Sequence, residues 1–98
     1  MQELPVLGCS LDAAGLAAQR ARYAALTPHV TSSDRSPRTL IVGFDALVDR
    51  ELLDTTLAIE AECCSFFAIA RDDASVRLTV PTDDLDPALD AIAHALGA

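Results

Sequence analysis

A strand pattern that occurs twice, 36 residues apart, constrains the fold of this chain more than any other feature. At residues 40–44 and again at residues 76–80, large apolar side chains alternate with other residues. This period of two is typical of a strand that buries one face. A weaker strand and a polar turn precede each pattern, so the sequence predicts two β-hairpins. Their strands are predicted at residues 29–33 and 38–44, and at residues 66–71 and 75–80.

Three helices are predicted around the hairpins. The first begins near Ser10, which has the character of a helix cap, and ends before Pro28, because proline disfavours the helical conformation in the residue before it. Asp12 falls in its first turn, where the helix dipole favours a negative charge. The predicted order is a strand at residues 4–9, a helix to residue 26, the first hairpin, a helix at about residues 47–64, the second hairpin and a helix from about residue 84 or 86, ended by Gly97.

This order, β-α-ββ-α-ββ-α, predicts a single α+β domain over residues 1–98, with a pseudo-duplicated α-β-β unit. The two hairpins are expected to join into one antiparallel sheet with helices on one face. Ile41, Phe67 and Ile69 are predicted to point to the other face. Such an apolar patch favours a homodimer.

The formal net charge of -8 excludes two classes of partner. A phosphate backbone and an anionic membrane surface would both repel the chain. The N-terminus lacks the basic start and apolar run of a secretory signal, and no segment approaches the length of a membrane span. We therefore expect a cytoplasmic protein, whose cysteines stay reduced.

The chemistry of the sequence is concentrated in three cysteines. Cys9 precedes the first helix, where the helix dipole lowers the pKa of a thiol and favours its reactivity. Cys63 and Cys64 close the second helix, and their sulfurs are expected to converge only if the last turn unwinds, since neighbours on a helix point about 100° apart. Cys63 also lies on the predicted apolar stripe of this helix, with Val48, Leu52 and Ile59.

Three thiolates without a fourth strong ligand suit Hg(II), As(III) or Cu(I) better than zinc, which prefers four closed ligands. His29 is the candidate for that fourth ligand, whereas His94 is predicted to lie on the surface of the last helix. Glu60 lies within reach of the cysteine pair, three and four residues before it. Glu60 and Glu62 also fit the ordinary pattern of solvated helix charges.

The segment from Glu60 to Phe67, together with Cys9, resembles small bacterial proteins with an E-x-E-C-C-x-F-F signature. Such proteins accompany heavy-metal and mercury-resistance regulators. The resemblance implies a soft-metal role for Cys9, Cys63 and Cys64 and leaves the mechanism open.

Three hypotheses follow from these residues. The first is a non-enzymatic protein that holds a thiophilic ion with three sulfurs, for sequestration or transfer. The second is a thiol enzyme that acts on an organomercurial or another electrophile, with Glu60 as the acid or base, or as a redox variant with Cys9 as nucleophile. The third is an interaction module in which the cysteines only pack in the core.

Overall fold

The computed structural model describes residues 12–97 of the chain. Its helices and strands alternate as the sequence predicts, with a helix before each hairpin and one helix after the second. The elements are α1 (Ala13–Leu26), β1 (Val30–Ser36), β2 (Thr39–Phe44), α2 (Arg50–Cys63), β3 (Ala68–Arg71), β4 (Ser75–Thr79) and α3 (Asp86–Ala95). Two short 3-10 helices, Thr27–His29 and Asp83–Leu85, follow α1 and precede α3.

The four strands form one antiparallel sheet in the order β1-β2-β4-β3. This arrangement confirms the α+β prediction and the joining of the two hairpins. The predicted strand at residues 4–9 lies outside the described residues. Among residues 12–97, none of the helices combines the length and apolar character that a membrane crossing requires.

The sheet register supports the predicted internal repeat. In the central pairing, Leu40 lies opposite Leu78 and Val42 lies opposite Val76. The repeat, with its offset of 36 residues, relates Leu40 to Val76 and Val42 to Leu78. It therefore converts the Leu40–Leu78 pair into the Val76–Val42 pair. The hairpins also share one register, because Ser33 pairs with Val42 as Ile69 pairs with Leu78. The two α-β-β units are therefore related by a local pseudo-twofold axis through the β2–β4 pairing.

The core lies between one face of this sheet and the helices. Leu40 and Val42 have no exposed surface, and Leu78 is 1% exposed. Leu89 and Ile92 of α3 are buried in the same cluster. Burial of these branched side chains supplies the main driving force for folding, because the chain has few aromatic residues.

The predicted apolar patch on the opposite face is wrong for two of its three residues. Phe67 is buried in the core, and Ile69 lies opposite Leu78, so its side chain points to the core face. Only Ile41 lies on the uncovered face, beside Arg77. The homodimer remains a prediction, without the patch on which it was based.

Local details differ from the sequence expectations at two places. The side chain of Asp12 caps α1 by accepting from the amide of Gly15 at 2.7 Å, so the helix begins later than a cap at Ser10 would allow. The first hairpin turn is also shorter than predicted, because β1 extends to Ser36. Its tight turn places Arg38 at a φ of 59°, and the Arg38 amide donates to Asp86 Oδ1 at 2.8 Å.

Truncation of neighbouring β2 residues tests this assignment of the two sheet faces. Leu40→Ala is expected to lower the free energy of unfolding by about 2–5 kcal/mol, because it leaves a cavity in the core. Ile41→Ala is expected to cost about 1 kcal/mol, because its half-buried side chain gives up less apolar contact. Urea unfolding measures both values. Equal losses would contradict the assignment of Ile41 to the uncovered face.

Candidate metal centre

Helix α2 carries the candidate site at its C-terminal end. The side chain of Asp49 accepts from the amide of Leu52 at 3.0 Å and fixes the start of the helix. The buried face of α2 consists of Leu53, Thr56, Leu57 and Glu60. This face is rotated by about one residue from the predicted stripe, on which Leu52, Ile59 and Cys63 are only half-buried. This rotation places the carboxylate of Glu60 in the interior of the protein.

Glu60 is a buried acid, with only 1% of its surface exposed. Its Oε1 atom accepts from the Tyr23 hydroxyl at 2.6 Å and from Gln19 Nε2 at 3.3 Å. Gln19 Nε2 also donates to the carbonyl oxygen of Thr56 at 3.0 Å. Helix α1 therefore supplies two neutral donors to Glu60. The interpretation of Glu60 as a solvated helix charge is wrong, whereas Glu62 is exposed as that interpretation expects.

The second carboxylate oxygen of Glu60 is the exception in this network. Oε2 is buried and has no nitrogen or oxygen donor as a partner among residues 12–97, although the neighbouring Cys64 thiol hydrogen-bonds to the Glu60 carboxylate. A buried polar atom in this state costs about 1–3 kcal/mol, so such atoms are uncommon and often mark functional sites. Oε2 can therefore accept a hydrogen bond from a further donor or coordinate a cation.

The two adjacent cysteines lie next to this carboxylate because α2 ends between them. Cys63 is the last helical residue, and Cys64 has left the helix, with a φ of -127° and a ψ of 76°. Their sulfurs lie 3.6 Å apart. The expected unwinding at this junction is confirmed. Burial of Phe67 accompanies it, and the Phe67 amide donates to the carbonyl oxygen of Cys64 at 3.1 Å.

Glu60, Cys63 and Cys64 together form a compact group of potential metal ligands. One carboxylate oxygen and the two sulfurs all lie within 4.8 Å of one another. In the part of the chain that the structure describes, no other set of histidine, cysteine and acidic residues meets this condition. Cys63 is disulfide-bonded in the structure, so it can offer a thiolate to an ion only after reduction.

The surroundings of the site disfavour thiolate in the absence of a cation. Burial, followed by the charge and hydrogen bonding of Glu60, raises the pKa of Cys64 to about 12. Burial and the same carboxylate raise the pKa of Tyr23 above its ordinary value. Cys64 and Tyr23 are therefore neutral proton donors around Glu60 at physiological pH. An ion that binds here must displace the Cys64 proton.

The other candidate residues in the described part of the chain do not join this group. Cys9 lies outside the described residues, so its place in the site stays a prediction. His29 Nδ1 lies 3.0 Å from Asp45 Oδ1, which gives it a structural partner in the loop after β2. His94 is exposed, as predicted. Arg22 contacts the network indirectly, because its guanidinium donates to Gln19 Oε1 at 2.8 Å.

The sequence interpretation missed Gln19, Tyr23 and Thr56 as neighbours of Glu60. A signal for them exists in the internal repeat. Helix α2 follows α1 with an offset of 37, since Ala13 corresponds to Arg50 and Leu26 to Cys63. The same offset takes Gln19 to Thr56 and Tyr23 to Glu60. Near a twofold axis, residues at equivalent positions of the two repeats lie close together. The repeat alone therefore predicts that Gln19 lies near Thr56 and that Tyr23 lies near Glu60.

Comparison of the chain with protein-family models, curated protein sequences and solved structures found no match. The geometry of the site is therefore the basis on which a function is proposed.

The neutral state of Cys64 and Tyr23 predicts a loss of stability at alkaline pH. Both pKa values are higher in the folded chain than their ordinary values of 9.0 and 10.0. The unfolded chain therefore loses these protons first, and stability falls as pH rises above 9. The expected slope is about 1.4 kcal/mol per pH unit for each group. Urea unfolding at pH 8–11 measures it.

Two variants separate the contributions, since the chain has no lysine and Tyr23 is its only tyrosine. Cys64→Ala should flatten the dependence that begins at pH 9, and Tyr23→Phe should flatten the part that begins at pH 10. A wild-type free energy of unfolding that stays constant from pH 8 to pH 11 would contradict the buried, neutral state of both groups.

Proposed function

We propose that the protein binds a thiophilic metal or metalloid ion for sequestration or transfer, with Cys63 and Cys64 as its principal ligands. The observation that carries this proposal is the pair of sulfurs 3.6 Å apart beside a buried carboxylate. Soft thiolate ligands select ions such as Hg(II), As(III) and Cu(I) over hard cations. Cys9 is the proposed third sulfur.

The cost of Glu60 to folding supports a functional interpretation over simple packing. A leucine at this position, together with a phenylalanine in place of Tyr23, would fill the space between α1 and α2 without a buried carboxylate. Glu60 instead occupies a buried site where only neutral groups donate hydrogen bonds to it. Buried acids are costly unless they are paired or coordinate an ion. The proposed ion supplies a positive charge, which none of these neutral donors provides.

We propose that the protein acts in metal resistance and that it does so in the cytoplasm. The expectation of fully reduced cysteines is wrong for Cys63, which is disulfide-bonded in the structure, so this proposal needs a reducing compartment that opens the bond. The resemblance of the Glu60–Phe67 segment to proteins that accompany resistance regulators points in the same direction. In this setting the protein holds the ion between a transporter, a reductase and a regulator.

Ligand titration of the reduced protein tests the proposal. Addition of Hg(II), As(III) or Cu(I) is expected to produce sulfur-to-metal charge-transfer absorption with one ion bound per chain. Cys63→Ser and Cys64→Ser should each weaken binding at least tenfold, because each removes one thiolate. Cys9→Ser tests the third sulfur separately. If no charge-transfer absorption appears with any of these ions, the proposal is wrong.

Glu60→Gln and Glu62→Gln form a matched pair on α2, one buried and one exposed. The first is expected to weaken binding and the second to leave it unchanged. The double variant Tyr23→Phe, Glu60→Leu provides a well-folded control, because it removes both partners of a buried hydrogen bond together. Its stability should equal or exceed that of the wild type while its affinity for the ion falls. Full affinity in this double variant would show that Glu60 has no role in binding.

The burial of Glu60 also favours a second candidate function, cleavage of an organomercurial. In this reaction both sulfurs bind mercury after reduction of Cys63, and Glu60 takes the proton that leaves the Cys64 thiol and passes it to the carbon atom as the carbon–mercury bond breaks. The hydrocarbon then leaves, and Hg(II) stays on the sulfurs. A carboxyl group next to the sulfurs is the geometry that this proton transfer requires.

Turnover of an organomercurial distinguishes this enzyme from a binding protein. The enzyme hypothesis expects hydrocarbon release by the wild type and a loss of at least 100-fold in Glu60→Gln, which has no proton to give. Gas chromatography of the headspace measures the released hydrocarbon. Binding of the organomercurial without release would leave the binding function alone.

A further inference from the structure

We propose that the protein also carries out thiol–disulfide exchange, in which the Cys64 thiol attacks the disulfide of Cys63 and Glu60 accepts the proton that leaves Cys64. The class of substrate is a dithiol. This activity belongs to the oxidised protein. It therefore goes beyond the ion binding proposed above, which needs the reduced protein.

The two neighbouring cysteines of the site are in different chemical states. Cys63 is disulfide-bonded, whereas Cys64 keeps its thiol. Cys64 is therefore not the partner of Cys63. The chain has one other cysteine, Cys9, which lies outside the described residues. By this count, Cys9 is the partner of Cys63 within the chain.

The Cys64 thiol is held against the disulfide. Its sulfur lies 3.6 Å from the sulfur of Cys63. Formation of a disulfide bond of about 2.0 Å requires the two sulfurs to approach by about 1.6 Å. An attacking group that is already in place reacts faster than one that must diffuse to the site. Cys64 therefore has an advantage over any thiol from solution in attacking this bond.

Glu60 is placed to accept the proton of Cys64. The thiolate is the nucleophile in disulfide exchange, so the Cys64 proton must leave as the sulfur attacks. The Cys64 thiol hydrogen-bonds to the Glu60 carboxylate. Tyr23 and Gln19 donate to Oε1, whereas Oε2 has no nitrogen or oxygen donor among residues 12–97. The carboxylate can therefore act as a general base, which gives a buried acid a use.

The exchange is an isomerisation that consumes no oxidant. The Cys64 sulfur forms a bond with the Cys63 sulfur, and Glu60 takes the thiol proton. The bond between Cys63 and Cys9 breaks, and the electron pair leaves with Cys9 as a thiolate. Glu60 returns its proton to solvent, and Cys9 takes one from solvent. One disulfide and one thiol are present before and after the step.

Strain makes the new disulfide the minor form. Neighbouring Cα atoms lie about 3.8 Å apart across a trans peptide, which is less than the roughly 4.4 Å lower limit for ordinary disulfides. A bond between Cys63 and Cys64 is therefore strained. Strained disulfides are reduced more easily and are the labile or catalytic ones. The exchange thus converts a stable disulfide into a more strongly oxidising one.

A dithiol completes the reaction by reducing this strained bond. One substrate thiolate attacks the sulfur of Cys63, which is half-buried, whereas Cys64 is 1% exposed. Cys64 leaves as a thiolate, and the second substrate thiol then attacks the mixed disulfide and releases Cys63. Two electrons pass from the substrate to the protein, and the substrate leaves as a cyclic disulfide. Its two protons end on Cys63 and Cys64.

Alkylation of the oxidised protein in the absence of reductant tests the exchange. The native protein is incubated with iodoacetamide, denatured in excess N-ethylmaleimide to cap the remaining thiols, and cleaved after arginine. Cleavage places Cys9 in the peptide of residues 1–20, and Cys63 and Cys64 in the peptide of residues 51–71. Exchange is expected to put the acetamide label on Cys9 and to leave an internal disulfide in the second peptide. Cross-linked peptides with label on Cys64 alone would overturn the proposal.

Replacements of the two reacting groups identify their roles. Cys64→Ser is expected to show no label on Cys9, because the attacking sulfur is gone. Glu60→Gln is expected to slow the labelling of Cys9 by about 100-fold, because glutamine accepts no proton. The exposed Glu62→Gln should label at the wild-type rate. The double variant Tyr23→Phe, Glu60→Leu should be as slow as Glu60→Gln, and it keeps the test valid if the single variant unfolds. Wild-type rates in both Glu60 variants would show that Glu60 accepts no proton.

Reduction by dithiothreitol tests the class of substrate. The oxidised wild type is expected to be reduced at least tenfold faster than Cys64→Ser, because only the wild type forms the strained disulfide. Acid quenching followed by mass spectrometry of the peptides measures both rates. Equal rates would overturn the assignment of a dithiol as the substrate that uses this bond.

Failure of the exchange is distinguishable from failure of the proposed ion binding. If the reduced protein binds a soft ion while the oxidised protein puts no label on Cys9, the exchange is wrong and the ion binding stands. If Cys9 is labelled and no ion binds, the exchange stands alone. A covalent dimer on a non-reducing gel would overturn the pairing of Cys63 with Cys9 and the exchange that depends on it.

Discussion

The pairing of β2 with β4 is the contact on which both the core and the candidate site depend. It sets Leu40 beside Leu78 and Val42 beside Val76, and these four buried side chains join the two halves of the chain. Because the pairing is symmetric under the internal repeat, it also fixes where the helices of the two halves meet. The contact between Tyr23 and Glu60 is a consequence of this symmetry. The register that closes the core is therefore sufficient by itself to make Tyr23 and Glu60 neighbours.

The interface between α1 and α2 is the place where the two halves differ in chemistry. The equivalent positions carry Gln19 and Tyr23 on one helix, and Thr56 and Glu60 on the other. The first pair donates and the second accepts, so the interface is polar without repeating one residue type across the axis. Removal of both polar partners of a buried pair is often neutral or stabilising, so stability alone does not require a polar contact here.

The sequence predicts the sheet better than the site, for a physical reason. Strand alternation at residues 40–44 and 76–80 has only two phases, and only one buries the large side chains. The apolar residues of helix α2 fix its phase less sharply, because Leu52, Leu53, Leu57 and Ile59 spread over about 160° of its circumference. Contact with α1 selects the phase that buries Glu60, and this contact is not visible in the periodicity of α2 alone. Cys63 and Cys64 were found by their adjacency, whereas Tyr23 and Gln19 become visible only through the repeat.

The end of α2 determines whether adjacent cysteines can act together. Had the helix continued through Cys64, the two side chains would point about 100° apart, one toward the core and one toward a flank. Phe67 must instead be buried, and its backbone contact with Cys64 turns the chain toward β3 within three residues. The same turn that delivers an aromatic ring to the core brings the second sulfur beside the first and beside Glu60. Folding and ligand placement are thus set by one local event, so a replacement that allows the helix to continue would separate the sulfurs even if every ligand residue were kept.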